Sequence, residues 1–204
     1  MAKGNLYIIS APSGAGKTSL IKKLLPAMDK IMVSVSHSTR PQRPGEVDGL
    51  DYFFTSVEKF QEIIGNSGFL EYARVFDNFY GTAQSSVEEN LNKGIDVILE
   101  IDWQGAQQIR HQIPNTITIF ILPPSTNILR HRLQERGQDS KDIIDRRMQD
   151  AAKEMSHYAE YDYLVVNNDF NTALNALKSI ILAKRLSIDR QQHQLESLLV
   201  DLLA

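Results

Sequence analysis

The sequence predicts an α/β fold: a parallel sheet flanked by helices, interrupted by a mixed α+β insertion and by a charged helical pair. Three observations carry this. Near-continuous apolar runs recur at residues 6–9, 95–101 and 116–122, with helix-like segments between them, as strands of a sheet covered on both faces read. A loop of small residues joins the first run to its helix. Residues 37–93 and 125–157 break the alternation with a different composition.

The first run leads through Ser10 into Ala11, Pro12, Ser13, Gly14, Ala15, Gly16, Lys17, Thr18 and Ser19, and apolar residues at 20, 21, 24, 25 and 28 then mark one helix face. Strand, tight loop and helix are the setting in which G-x-x-x-x-G-K-[ST] becomes the phosphate cradle of a P-loop NTPase fold. Gly14 and Gly16 let successive backbone N–H groups point inward at phosphate oxygens, and the helix N-terminus adds partial positive charge. Lys17 is expected to reach the outer phosphates of a bound nucleotide, and Thr18 to ligate a magnesium ion. Ala11 stands where the pattern has its first glycine. Alanine is unfavourable there if the backbone must be left-handed, and adequate if only a small side chain is needed.

The chain of 204 residues is long enough for one substantial α/β domain with an insertion or two, and its 42% hydrophobic and 23% charged content is ordinary for a globular protein. A net charge of −3 supplies no basic field for nucleic acid. The absence of cysteine excludes disulfides, zinc–thiolate sites and thiol catalysis. No apolar run reaches the roughly 18–20 residues that span a bilayer, so no membrane partner is expected. The N-terminus enters the first strand directly, leaving no room for a signal peptide and predicting a cytoplasmic protein.

A second strand is expected over 31–36, and a polar, Pro- and Gly-rich loop over 37–50. A short strand at 51–54 precedes a helix with Ser56 as its N-cap. Two β-like pieces at 69–76 and 78–81 and a helix over 85–92, closed by Gly94, complete the insertion. The segment 125–157 reads as a charged helical pair, 163–166 as the last strand, and 171–185 as a helix. The amphipathic tail, 188–204, packs either on the chain's own core or on a second subunit, which leaves a homo-oligomer open.

Arg40 and Arg43, three apart on a loop stiffened by Pro41 and Pro44, make a two-pronged anion clamp or a pair of solvated arginines. Glu100 and Asp102 end the third strand on one face. At the carboxyl end of a parallel strand such a carboxylate can hold metal-bound water, and Asp102 is the preferred candidate, although it equally suits a helix N-cap.

Five stretches together resemble the guanylate kinases, within the nucleoside-monophosphate kinase fold. They are residues 10–18, 38–46, 51–52, 78–82 and 100–105, in order and at matching spacing, and the likeness spans residues 3 to 186. The resemblance implies ATP:GMP phosphotransfer with magnesium, with GMP and dGMP as acceptors. It assigns the GMP phosphate to Arg40, Arg43, Tyr52 and Tyr80, and the guanine to Glu71, with Ser36, Gly81, Thr82 and Asp102 completing the pocket. Thr82 replaces a serine common in relatives but keeps the hydroxyl. ATP falls to residues 11–19 and Asn168, the latter standing where an aspartate is commoner. Arg132, Arg136 and Arg147 match the lid arginines that spread over the transferring phosphoryl group beside Lys17. The division this implies is a core of 1–36, 94–124 and 158–204, a GMP-binding insertion of 37–93, and a lid of 125–157. Guanylate-kinase-like modules that have lost catalysis and bind proteins are the competing class, and an intact Gly16-Lys17-Thr18 argues against it.

Overall fold

The computed structural model describes residues 2–75, 77–135 and 141–204. Its centre is a five-stranded parallel sheet in the order β2 (Ile31–Val33), β7 (Asp96–Leu99), β1 (Leu6–Ser10), β8 (Ile117–Leu122), β9 (Tyr163–Val166). Period-two alternation splits the apolar residues of β1 between two cores. Tyr7 and Ile9 face α1 (Lys17–Leu24) and α7 (Phe170–Arg185) through Leu20, Leu24, Leu177 and Ile181. Leu6 and Ile8 face α3 (Gln84–Asn92) and α4 (Trp103–Gln112) through Val87, Leu91, Ala106 and Ile109. Burial on both faces explains why these strands read as unbroken apolar runs.

A second sheet, in the order β4 (Phe53–Phe54), β3 (His37–Ser38), β6 (Asn78–Ala83), β5 (Phe69–Val75), forms the insertion together with α2 (Val57–Gly65). The Ser56 hydroxyl caps α2 by accepting from the Lys59 N–H at 3.3 Å. Two expectations change here. The second strand ends at Val33, and His37–Ser38, expected in a loop, pairs with β4 and β6. α3 was assigned to the insertion, yet it buries Val87 and Leu91 in the core beside Leu6, Ile8 and Val97.

The segment expected as the lid contains α5 (Thr126–Glu135) and α6 (Lys141–Met155), with its own small core of Leu129, Leu133, Ile144 and Ala151 and an Arg130–Asp145 ion pair at 2.5 Å. Trp103, the single tryptophan, stacks on His157 just beyond α6, with centroids 3.8 Å apart and planes 6° from parallel. That stack ties the end of the lid to the start of α4.

At the opposite end of the sheet Asp96, fully buried, accepts from the Asn5 N–H at 2.8 Å and from Arg185 and Arg190 at 2.7 Å each. These two arginines hold the corner between α7 and α8 (Ile188–Gln194) against the core. Beyond it α9 (Glu196–Leu203) buries none of its residues, and Leu198, Val200, Leu202 and Leu203 stay at least half exposed. Among the described residues no helix is long and apolar enough to cross a membrane.

Candidate active site

The loop from Ser10 to Lys17 turns because Gly14 and Gly16 adopt φ of 90° and 93°, which side chains rarely tolerate. Ala11 is not among the positive-φ residues, so a small side chain is all its position demands. Gly14 admits Leu129 and Leu133 of the lid, which approach to 3.0 and 3.2 Å of where a Cβ would sit. Behind Gly16 the Asn167 amide occupies the place of a side chain and donates to the Ala15 carbonyl at 2.7 Å. Arg132 crosses from the lid to the Ala15 and Asn167 carbonyls, at 3.4 and 3.1 Å. Asn167, missed by the sequence reading, therefore braces the loop, while Asn168 beside it is exposed. Thr18 and Ser19 open the helix on its exposed side.

A cavity of about 550 Å³ runs from this loop to the insertion. Of the residues expected at the site, Ala11, Ser13, Lys17, Ser36, Arg40, Arg43, Tyr52, Glu71, Tyr80, Asp102 and Arg147 line it. Pro12, Gly14, Ala15 and Gly16 form the turn behind it, and Arg136 lies outside the described residues. Gly81 is buried against Phe60 and Phe69, and holds the insertion together rather than facing the cavity.

Glu71 forms the cavity floor at the insertion end. It is 3% exposed, and its Oε1 accepts from the Thr82 hydroxyl at 2.6 Å. Burial pushes its carboxyl up to about 7; the Thr82 hydrogen bond opposes the rise and nearby Asp102 adds to it. Gly105 lets α4 come this close, because a Cβ there would lie 2.5 Å from Glu71 Oε2. The sequence signal for Gly105 was its place in the 100–105 stretch, without a role.

The two arginines sit above. Arg40 is 8% exposed, with its guanidinium over the Tyr52 ring at 4.9 Å and the Phe54 ring at 5.4 Å. Tyr52 and Tyr80 meet edge to face at 5.9 Å, and burial raises the Tyr52 hydroxyl, which stays a donor at neutral pH. Arg43 is exposed on the same loop.

The paired carboxylates diverge from the expectation. β7 ends at Leu99, so strict alternation stops before Glu100 and Asp102. Asp102 caps α4: Oδ1 accepts from the Gly105 N–H at 3.0 Å and Oδ2 from the Gln104 amide at 3.1 Å. The carboxylate facing Thr18 is instead Glu100, whose Oε2 lies 3.4 Å from the Thr18 hydroxyl and 3.7 Å from Lys17 Nζ. Among the described residues no three acidic or histidine groups gather as a metal cage. One hydroxyl with one carboxylate beside it suits Mg²⁺, which keeps most of its waters and binds mainly through substrate phosphates.

The lid contributes one group that sequence reasoning overlooked. Glu154 of α6 lines the cavity, and burial pushes its carboxyl up to about 7, with Asp102 adding to the rise and Lys17 and the Ser13 N–H opposing it.

Lys17 of the glycine loop, Arg40 and Arg43, and the buried Glu71 carboxylate thus line one cleft. A family model described as Guanylate kinase matches residues 3–184. The chain is 58% identical to the guanylate kinase of Methylococcus capsulatus over 203 residues, and 56% identical to that of Escherichia coli K12 over 207, covering 100% of both proteins in each case. It is similar to the crystal structure of guanylate kinase from Anaplasma phagocytophilum, with a TM-score of 0.78 and 34% identity over 97% of this chain and 96% of that one. On this agreement of motif, cleft and full-length similarity, the chain belongs to the guanylate kinase family.

Proposed function

We infer that the protein transfers the γ-phosphoryl group of ATP reversibly to GMP, and to dGMP, giving ADP and GDP. The observation that carries this reading is that Lys17 and Glu71 line one continuous cavity, the first in a phosphate-binding loop and the second buried beside a hydroxyl. Guanine offers N1–H and a 2-amino group to a carboxylate. Adenine has no such pair and would leave the buried Glu71 unsatisfied. Ser36 and Asp102 line the same pocket, while Thr82, buried behind it, spends its hydroxyl on Glu71 and so acts on the base through that carboxylate. Arg40, Arg43, Tyr52 and Tyr80 place two cations and two phenol donors around the GMP phosphate. dGMP is included as an acceptor on the same reading, since the roles above concern the phosphate and the base.

The reaction needs no covalent nucleophile. A GMP phosphate oxygen attacks the γ-phosphorus in line, and holding two nucleotides in that geometry contributes up to about 7–11 kcal/mol in favourable systems. Lys17 and the backbone N–H groups of 14–18 bind the ATP phosphates, while Arg132 and Arg147, and Arg136 beyond the described residues, take equatorial charge from the lid. Thr18 would hold Mg²⁺, with Glu100 fixing its water. Bound there, the ion would supply charge neutralisation to the transferring phosphoryl group. Asn168, next to the loop-bracing Asn167, is the candidate for adenine contact. Closure of the insertion over GMP and of the lid over ATP excludes water, so that transfer outruns hydrolysis.

A coupled assay of ADP formation with ATP and Mg²⁺, offering GMP, dGMP, AMP, UMP and CMP separately, tests the reading. Turnover confined to GMP and dGMP is expected. Turnover with another base would retain Lys17 but sink the roles given to Glu71 and Thr82, and GMP binding without turnover would favour a protein-binding module.

A further inference from the structure

Arg40 does not stand free in the cleft. Its Nη1 donates to the Pro41 carbonyl at 2.9 Å and to Glu46 Oε2 at 2.7 Å, and its Nη2 donates to Glu46 Oε1 at 2.5 Å. Glu46 Oε2 also accepts the Arg43 backbone N–H at 2.8 Å. Both Nη1 hydrogens and one Nη2 hydrogen are therefore used. What remains is Nε–H and the second Nη2–H, the two donors that share the side edge of the guanidinium fork. That edge matches a phosphate in the bidentate manner.

We propose that Glu46 is a positioning residue for the acceptor nucleotide: it fixes the rotation of the Arg40 guanidinium, so that only the Nε/Nη2 edge is presented to the GMP phosphate, and pins the Arg43 backbone with the same carboxylate. The proposal rests on the reading above that Arg40 binds that phosphate. Three features separate this from an ordinary surface ion pair, which contributes little. The Arg40 and Glu46 side chains are 8% and 20% exposed. Two residues of the clamp converge on one carboxylate. Hydrogen bonds from Arg40 hold the Glu46 carboxyl down at about 2, so it remains charged throughout the neutral range. Without Glu46 the buried guanidinium loses its counter-ion and turns towards water, and GMP must then reorder it on binding.

Steady-state kinetics of Glu46→Ala, Glu46→Gln, Arg40→Ala and the Arg40→Ala/Glu46→Ala double variant provide the test. Glu46→Ala is expected to raise KM for GMP about tenfold while KM for ATP moves by less than about twofold. Glu46→Gln keeps the shape and one acceptor oxygen, falls between parent and Glu46→Ala, and carries the test if Glu46→Ala does not fold. In Arg40→Ala the stranded Glu46 carboxylate repels the phosphate, so the double variant is expected to bind GMP more tightly than Arg40→Ala alone. This inversion marks a residue acting through Arg40, whereas a residue that merely braces the loop would make the double variant worse. A Glu46 variant whose KM for GMP stays within about twofold of the parent, or falls, overturns the proposal, as does a double variant weaker than Arg40→Ala. An unchanged KM in Arg40→Ala would remove that arginine from the phosphate site, and the proposal would fall with the reading beneath it.

Discussion

Gly105 and Glu71 meet so closely that a single methyl group on Gly105 would lie 2.5 Å from the Glu71 carboxylate oxygen. The carboxylate lies between the Thr82 hydroxyl on one side and this bare stretch of α4 on the other. Gly105→Ala is therefore expected to displace Glu71 and raise KM for GMP at least about tenfold, with KM for ATP unchanged. Paired kinetics with each nucleotide varied in turn check this, and an unaffected KM for GMP would mean that the floor of the pocket yields.

Glu71 also carries a pH signature. Its carboxyl titrates at about 7 in the free protein. Guanine donors favour the ionised form, so GMP binding lowers this value and releases a proton. Affinity for GMP is expected to fall as pH drops below about 7, approaching tenfold per unit, as calorimetry across that range would reveal. The effect on stability has the opposite sense. The folded value lies above the unfolded one, so the folded state binds the proton more tightly, and stability is lost as pH rises through the folded value. At about pH 8 that loss amounts to about 3 kcal/mol, so Glu71→Gln should melt higher than the parent there, with the advantage gone below about pH 4.5.

Lys17→Ala is expected to abolish turnover while largely sparing GMP affinity, because the proposed function gives Lys17 to the ATP phosphates and Glu71, Arg40 and Arg43 to GMP. Equal loss of both would contradict this division.

Gly16→Ala introduces a side chain at a φ of 93° and into the space of the Asn167 amide. The strain is about 1–2 kcal/mol, and the collision with Asn167 adds to it. The expected outcome is a lower melting temperature with a rise in KM for ATP of at least about tenfold, measured against an unchanged KM for GMP.

Asp96→Ala strands Arg185 and Arg190 at the far end of the sheet. A buried ion pair broken on one side costs about 3–5 kcal/mol. Denaturant unfolding should show that loss, whereas the KM values for both nucleotides should stay at parental levels because Asp96 lies away from the cleft.

Legibility in the sequence followed the range of the interactions. The first strand, the loop and α1 were readable because their signals are local: an apolar run, two glycines, and helical spacing. Strand β9 was readable to the residue at Tyr163–Val166 for the same reason. His37–Ser38 was not. Its polar composition resembles a loop, and it is a strand only because Phe53–Phe54 and Tyr80–Gly81 come to pair with it. Glu71 alternates with Leu70 and Tyr72 and reads equally well as a solvated edge; its burial depends on α4 arriving from thirty-odd residues away. Asn167 stood only in the stretch after the last strand, with no bracing role, and Glu154 had no motif, since each matters through segments distant in sequence. Glu100 and Asp102 read as a pair on one strand face with Asp102 preferred, but β7 stops before both, leaving Glu100 beside Thr18 and Asp102 as the cap of α4.

On the proposed function, a buried carboxylate in reach of the glycine loop, Glu71, chooses the base. The most direct measurement is the ratio of kcat/KM for GMP to that for AMP, in the parent and in Glu71→Gln. A strong preference for GMP is expected in the parent, reduced by at least about a hundredfold in Glu71→Gln, mainly through loss of GMP. A ratio that survives the substitution would contradict it, and would place base selection somewhere other than Glu71.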